Sequence, residues 1–170
     1  MSSVVQSFDW IVNEKSKVLV LGTLPSVESL IKNEYYGNPR NAFWRIIDAI
    51  FGCNYERAAY ELKKNNLLSK RIALWDVLRQ GRREGSRDSS ITGVVANDHN
   101  LFFSEYPAIT HVMFNGTKSY QFFERLVLND LNDRSRLELH LLPSTSPLYA
   151  RPFNEKLEKW RIIRECLAQG

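Results

Sequence analysis

The segment KVLVLG, residues 17–22, decides the fold class of this chain. It is a short run of β-branched and leucine residues that ends in glycine, a pattern typical of a buried parallel strand. Three comparable runs follow it, namely RIALWDV at 71–77, HVMFNG at 111–116 and LELHLLP at 137–143. The sequence therefore predicts four strands of one sheet.

Segments with helical spacing separate these strands. After Asn41 the apolar residues recur on one helical face as far as Phe51, and Gly52 is placed to end that helix in the left-handed conformation. Further helices are predicted at 55–66, from Asn97 or Asp98 through Phe103, at 117–128, and in a last helix with Leu157, Trp160, Ile163, Cys166 and Leu167 on one face. Alternating strands and helices predict a three-layer α/β/α fold with a central, mainly parallel four-stranded sheet, and a ligand site at the carboxyl ends of its strands.

Length and composition favour one globular domain, residues 1–170. Apolar residues make up 44% and charged residues 25% of the 170 residues, and no segment approaches the roughly 18 apolar residues of a membrane span. Without a visible secretory signal, we expect a cytoplasmic monomer without a membrane partner. The formal charge of +4 suits a polyanion partner but does not establish one.

The sequence lacks the standard motifs for binding cofactors or metals and for nucleophilic catalysis. GTKS at 116–119 lacks the upstream glycine of a phosphate-binding loop, and no Gly-x-Gly-x-x-Gly follows the first strand. Ser144 and Ser146 do not form a nucleophile elbow. The two cysteines and three histidines show no ligand spacing, and His140 is interpreted as a core residue. We therefore expect no metal and no cofactor, and Asp76 is the single carboxylate at a strand end.

The segment RQGRREGSRDSS, residues 79–90, is rich in arginine and glycine and is predicted to be a solvated loop. Arginines 40, 82, 83 and 151 are suited to phosphate contacts. The other polar groups expected at the strand ends are amides and hydroxyls, and Tyr36 and Tyr149 offer stacking surfaces. Such a set fits a DNA base that has been extruded from the helix.

Several segments together resemble the hypoxanthine-DNA (deoxyinosine) glycosylase branch of the uracil-DNA glycosylase superfamily. They are GTLPS (22–26), YYGNPRNAFWRI (35–46), LWDVL (74–78), REGSRDSSI (83–91), FNGTKSYQFF (114–123) and LPSTSP (142–147). The resemblance runs from about residue 18 to 165. It implies a monofunctional enzyme that flips out and hydrolytically excises a deaminated base from damaged DNA, above all hypoxanthine from deoxyinosine. The alternatives are a uracil or mismatch-type glycosylase and a catalytically silent DNA-binding module on the same fold.

The resemblance also implies roles for individual residues. Leu24 stands where the superfamily normally has an Asp or Asn that orients water, so Asn41 is expected to take over that catalytic role. Tyr36 matches the aromatic platform for the base and Asn115 the reader of its edge, with Gly22 and Thr23 completing the base-binding set. The competing interpretation is that Asn41 only caps a helix.

A further set is expected to contact DNA. Small hydroxyl residues of LPSTSP would meet the backbone, and Leu148 or Tyr149 would wedge into the base stack. The chain departs from the branch at Asn38, where histidine is usual, and at Leu148–Tyr149, where small residues are usual; Leu142 replaces in effect a histidine of uracil glycosylases. The expected DNA-binding residues are Ser144, Thr145, Ser146, Leu148, Tyr149, Arg151 and Arg40.

Overall fold

The computed structural model describes residues 2–169. Its strands are β1 (Ser3–Gln6), β2 (Val18–Gly22), β3 (Ile72–Asp76), β4 (Leu78–Arg83), β5 (Thr92–Ala96), β6 (His111–Asn115) and β7 (Glu138–Leu142). Its α-helices are α1 (Val27–Lys32), α2 (Phe43–Phe51), α3 (Tyr60–Ser69), α4 (His99–Glu105), α5 (Thr117–Leu126), α6 (Phe153–Trp160) and α7 (Ile162–Ala168). None of these helices, within the described part of the chain, is long and apolar enough to cross a membrane.

The central sheet has the spatial order β3-β2-β6-β7, and every pair in it is parallel. These are the four strands that the sequence predicts. Gly22 pairs with Asp76, and Asn115 pairs with Leu142, so the carboxyl ends of all four strands meet at one edge. The chain leaves the central strand β2 for β3 on one side and later reaches β6 on the other. Ligand sites of open α/β sheets lie at such a crossover point.

The two faces of the sheet bury separate apolar clusters. Val18 and Val20 of β2 pack with α2, α6 and α7, whereas Leu19 and Leu21 pack on the opposite face with α4 and α5. This alternation follows from the two-residue period of a strand, and each fully buried large apolar side chain contributes about 1.5–3 kcal/mol. The predicted three-layer α/β/α architecture is therefore confirmed.

A second sheet was not predicted. β1, β4 and β5 form an antiparallel sheet with β4 in the middle. The prediction of a solvated loop at 79–90 is thus wrong for residues 79–83, which lie in β4. Arg83 is only 1% exposed: it donates to the carbonyl oxygens of Pro25 and Gly85 and lies 3.4 Å from the Asp88 carboxylate. Because its guanidinium is satisfied internally, Arg83 is not a phosphate ligand.

Helix boundaries differ from the prediction in three places. The helix expected at 55–66 begins only at Tyr60, because the Asp48 carboxylate binds the backbone N–H groups of Tyr55 and Glu56 at 2.8–3.0 Å. The last helix is divided at Arg161 into α6 and α7, although its predicted apolar face is buried throughout. The short helix α1 lies in what was expected to be loop.

Candidate active site

A pocket lies at the carboxyl edge of the sheet, over the ends of β2, β3 and β6. It contains about 580 Å³ of atom-free space and is lined by residues of several separate segments. The predicted site residues that line it are Gly22, Thr23, Tyr36, Asn41, Asn115, Ser144, Thr145 and Ser146. Leu24, Asp76 and Asp88 line it as well. The topology thus assembles residues that are up to 124 positions apart in the chain.

An outer groove adjoins this pocket and shares Asp88, Asn115 and Ser144 with it. We define it by Arg87, Lys118, Leu148 and Tyr149, which line its outer part. Leu148 is 58% and Tyr149 43% exposed, as a wedge requires. The α5 N-terminus, at Thr117 and Lys118, also borders it, and free N–H groups at a helix start attract anions. The groove therefore combines positive charge with exposed apolar and aromatic surface.

Tyr36 is held in an unusual backbone conformation. Its φ angle of 54° lies in the left-handed region, which bulky residues rarely adopt. One face of its ring stacks on Phe43 at 4.3 Å, so the other face is the one available to a ligand. Its buried hydroxyl makes no hydrogen bond of ordinary geometry within residues 2–169 and lies beside the Asn115 amide. Burial, and after it the Asp76 carboxylate, raise the pKa of Tyr36, which keeps the phenol protonated.

The neighbouring residues fix the position of Tyr36. The Tyr35 backbone N–H donates to the Tyr60 hydroxyl at 2.9 Å, and Trp44 Nε1 donates to the Tyr35 carbonyl at 3.0 Å. The Gly37 N–H donates to Ser29 Oγ at 3.0 Å. A strained residue persists only where its surroundings over-determine it, and these contacts do so on both sides of Tyr36.

Asn41 lies one residue before Ala42, which is the N-cap of α2. Its Oδ1 accepts the Phe43 N–H at 2.9 Å, at the start of α2. A carbonyl oxygen has a second lone pair, however, and the amide nitrogen of Asn41 makes no hydrogen bond within the described part of the chain. Asn41 also lines the pocket. The hydrogen bond to Phe43 therefore does not prevent this amide from holding a water molecule.

Thr145 is the point at which three segments are tied together. Its backbone N–H and Oγ1 bind the two ends of the Asn115 amide, each at 2.9 Å, and its carbonyl accepts the Ala42 N–H at 3.0 Å. The LPSTSP loop is thereby fixed to the end of β6 and to the start of α2. Thr145 is 1% exposed, and its N–H, hydroxyl oxygen and carbonyl oxygen are engaged within the protein, so it is poorly placed for the predicted contact with DNA.

Gly22 is required where β2 meets the pocket. A Cβ at this position would lie 2.7 Å from Asp76 Oδ1 and 3.4 Å from the Tyr36 hydroxyl oxygen. Only glycine therefore lets these two polar groups approach the end of β2 together. The next residue, Thr23, is 4% exposed, and its hydroxyl makes no hydrogen bond of ordinary geometry within residues 2–169.

Asp76 is the pocket residue whose importance the sequence did not reveal. It is 3% exposed, and its Oδ2 has no hydrogen-bond partner among the described residues. Burial, followed by the charge of Asp88, raises the pKa of Asp76 from 3.8 to about 8, while Arg83 opposes the shift. The carboxyl group is therefore largely protonated at neutral pH and carries an O–H that can donate to a ligand. Its position as the last residue of β3 was the available signal.

Unpaired polar atoms make this pocket ready for a polar ligand. The Thr23 hydroxyl, the Tyr36 hydroxyl and Asp76 Oδ2 are all buried in its wall and make no hydrogen bond of ordinary geometry in residues 2–169, although Thr23 lies near Asp88 and Tyr36 near Asn115. Leaving such atoms unbonded costs about 1–3 kcal/mol each, which a hydrogen-bonding ligand would recover. Leu24, by contrast, is apolar, 8% exposed and packed against the core, so it offers no group to activate water.

The remaining predicted DNA-binding residues lie outside the pocket. Arg40 is exposed and lines neither the pocket nor the outer groove. The Arg151 guanidinium lies 5.7 Å from the ring centre of Tyr149. A further cation, Lys156, was missed: its Nζ lies 5.4 Å from the same ring centre and donates to the Ser146 carbonyl at 3.1 Å. Both cations therefore support the exposed segment at 148–149.

Comparisons with known proteins agree with this geometry. The model of the uracil DNA glycosylase superfamily matches residues 10–167. A hypoxanthine DNA glycosylase of Methanosarcina acetivorans is 36% identical over 160 residues, which cover 94% of this chain and 98% of that protein. A hypoxanthine DNA glycosylase of Methanosarcina barkeri is 35% identical over 117 residues, covering 69% and 74%.

A solved structure is similar over nearly the whole fold. It is the solution NMR structure of a Methanosarcina acetivorans protein described as a candidate uracil DNA glycosylase. The TM-score is 0.83 at 35% sequence identity, with 96% of this chain and 99% of that chain covered. The architecture and the edge that carries the pocket are therefore shared with that protein.

Proposed function

Because the chain belongs to the uracil DNA glycosylase superfamily, we propose that it excises hypoxanthine from deoxyinosine in DNA as the first step of base excision repair. Two relatives at 35–36% identity bear the name hypoxanthine DNA glycosylase. The observation that carries the proposal is the buried pocket at the strand ends, whose wall holds Asn41 beside the unpaired polar atoms of Thr23, Tyr36 and Asp76.

The substrate base must leave the duplex before it reaches this pocket. We assign the free face of Tyr36 as the surface on which the extruded base stacks, since the other face is covered by Phe43. Leu148 or Tyr149 fills the vacated stack, and Ser144, Ser146, Arg87 and Lys118 meet the neighbouring phosphates from the outer groove. Arg40 and Arg151 extend this surface.

The proposed reaction is hydrolysis of the N-glycosidic bond. The oxygen of a water held by the Asn41 amide bonds to C1′ of the deoxyribose, and the C1′–N9 bond breaks with its electron pair going to the base. One proton of the water is transferred to the departing base. The transition state resembles an oxocarbenium ion, so a positioned water and favourable charge matter more than a strong base. The reaction needs no covalent lysine intermediate, metal ion or cofactor.

Asp76 supports departure of the base in this proposal. Hypoxanthine carries acceptors at N7 and O6, as guanine does. A protonated carboxyl at the pocket wall donates to one of them and stabilises the negative charge that develops on the leaving base. A neutral acid of this kind serves where an ionised aspartate would repel the leaving group. Asn115, whose amide is bound to Thr145 and adjoins the Tyr36 hydroxyl, has a second N–H that we assign to the base edge.

The organisation of the protein follows from this activity. We propose that residues 1–170 act as one glycosylase domain, that the protein works as a monomer on damaged DNA, and that it is located in the cytoplasm with its substrate.

A lesion panel tests the proposal. Duplex oligonucleotides with a single inosine, uracil or xanthine are incubated with the protein and then treated with hot alkali, which breaks the strand at an abasic site. We expect cleavage first of all at inosine. Cleavage confined to uracil would identify a uracil glycosylase instead, and three uncut strands with retained DNA binding would identify a silent binding module.

A further inference from the structure

A second cluster of reactive side chains lies at the opposite edge of the sheet. His111 and Glu138 are the first residues of β6 and β7 and are paired in register. His140 is two positions beyond Glu138 on the same face of β7, and Cys166 of α7 is 2% exposed. His111, His140 and Cys166 each place one donor atom within 4.8 Å of the other two.

The distances in this cluster are those between ligands of one small ion. His111 Nδ1 lies 3.4 Å from His140 Nε2, which lies 3.7 Å from Cys166 Sγ. Glu138 Oε2 lies 3.5 Å from His111 Nδ1, and Glu138 Oε1 lies 3.5 Å from His140 Nε2. Tetrahedral zinc, with Zn–N bonds of about 2.0–2.1 Å and Zn–S of about 2.3 Å, separates its nitrogen ligands by about 3.3 Å and nitrogen from sulfur by about 3.6 Å.

Hydrogen bonding accounts less well for the same geometry. Ordinary N–H···O bonds measure about 2.7–3.2 Å, whereas the contacts of His111 and His140 with each other and with Glu138 are 3.4–3.5 Å. The donor atoms of His111, His140 and Cys166 thus lie around a common point, and the exposed Glu138 carboxylate lies beside the two histidines. Separation of this kind is expected where an ion fits between them.

We propose that His111 Nδ1, His140 Nε2 and Cys166 Sγ bind one Zn²⁺ ion, and that the exposed Glu138 carboxylate turns towards the ion as its fourth ligand. Each histidine binds as the neutral ring and keeps its proton on the other nitrogen, while the Cys166 thiol loses its proton to solvent. The thiolate and the carboxylate then balance the charge of the ion. Two anionic ligands are needed because the buried ammonium of Lys17, whose backbone carbonyl binds the His111 N–H, adds a positive charge at this edge.

The site is structural and separate from the base pocket. His111 precedes Asn115 by four residues of one strand, which places the two edges about 13 Å apart. Four protein ligands leave no open position on the ion, as in other structural zinc sites. The ion connects the edge strand β7 to β6 and to the last helix α7. The inference does not depend on the proposed glycosylase activity.

Cobalt(II) provides the test, because it takes the place of zinc and is coloured. The intact protein is stripped with EDTA and titrated with CoCl₂. We expect saturation at one equivalent, visible bands of tetrahedral intensity, a thiolate-to-cobalt charge-transfer band in the near ultraviolet, and loss of colour when ZnCl₂ is added. The charge-transfer band should vanish in Cys166→Ser and persist in Cys53→Ser, which alters the chain's other cysteine.

A second measurement does not depend on cobalt and controls for misfolded variants. ZnCl₂ should raise the melting temperature of the wild type and of Cys53→Ser, and His140→Gln with a native circular dichroism spectrum should lose this response. A cobalt titration that does not saturate, a charge-transfer band unchanged in Cys166→Ser, or equal zinc responses of His140→Gln and wild type would each overturn the proposal.

Discussion

Asn41 shows how one side chain serves a helix and a pocket together. One lone pair of its Oδ1 accepts the Phe43 N–H, and the rest of the amide remains available at the pocket wall. The sequence presented capping and catalysis as alternatives. The two roles need not conflict, because the hydrogen bond to Phe43 uses only one lone pair of the amide.

The two roles of Asn41 can be separated by substitution. Serine also accepts a backbone N–H two residues on, so Asn41→Ser should lose no more than about 0.5 kcal/mol of stability. It lacks the amide that holds the water, so single-turnover excision should fall at least about a hundredfold. Asn41→Ala should lose both helix-start stability and excision activity, while its DNA binding stays largely intact. Full excision by Asn41→Ser would show that another residue holds the water.

The protonation state of Asp76 predicts how the rate of base excision depends on pH. If the protonated carboxyl assists base departure, excision stays level below about pH 8 and falls as pH rises through the pKa of Asp76. Asp76→Asn retains an N–H donor that does not titrate, so its slower excision should not fall over the same range. A rate that rises through pH 8 would instead make ionised Asp76 a general base.

Asp76 should also limit stability. Its pKa is about 8 when folded and about 3.8 when unfolded, so below pH 4 both states are protonated and the group costs nothing. Between pH 4 and 8 the unfolded chain releases the proton first, and stability is lost over that window. Asp76→Asn should therefore be more stable than wild type by roughly 2–4 kcal/mol at pH 7 and similar near pH 4, as measured by urea unfolding. A constant difference between the two proteins at all pH values would contradict the raised pKa.

Among the secondary-structure elements, strand β4 is the one that its sequence predicted least well. Strands β2, β3 and β6 were predictable because each is a mainly apolar run that is buried on both faces. β4 reads LRQGRR and looks like a loop, since its buried Arg83 is satisfied only by Pro25, Gly85 and Asp88. Those partners lie outside the strand, so no local sequence pattern in β4 predicts a buried arginine.

Arg83 connects β4 to the loop that begins the pocket. Arg83→Met leaves the Pro25 and Gly85 carbonyls and the Asp88 carboxylate without their donor, so we expect a loss of about 3 kcal/mol in the free energy of unfolding. Arg82→Met, next to it on the exposed side of β4, is the matched control and should cost less than about 0.5 kcal/mol. Equal effects of the two substitutions would refute the structural role of Arg83.

The candidate site could be predicted from the sequence only in part. The resemblance identified the segments that converge, and the structure brings Tyr36, Asn41, Asn115 and the LPSTSP loop to one pocket. Burial and pairing were not readable: the sequence did not show that Thr145 turns inward or that Asp76 lacks a partner. The cluster around Cys166 was missed because its donors come from two strands and a helix.

In the whole molecule, we propose that the pocket and the outer groove have separate roles in base extrusion. The groove carries the exposed side chains Leu148 and Tyr149, which we expect to occupy the gap left by the base. We propose that the pocket receives the base itself. Duplex and single-stranded substrates should therefore depend differently on the groove.

Alanine at Leu148 and Tyr149 tests this division. The double substitution should slow excision from duplex DNA strongly and excision from single-stranded DNA little, because a single strand has no stack to fill. Leu101→Ala, which truncates an exposed leucine on α4, should leave both rates unchanged. Equal slowing on both substrates would assign the segment to general DNA binding.

The central claim is that the pocket around Asn41 releases hypoxanthine from DNA. The most direct measurement is the free base itself, quantified by chromatography after a single turnover on an inosine-containing duplex, for wild type and Asn41→Ser at equal DNA occupancy. We predict about one hypoxanthine released per bound duplex by the wild type and at least about a hundredfold slower release by the variant. No free hypoxanthine from the wild type, or equal release by the two proteins, would contradict the account.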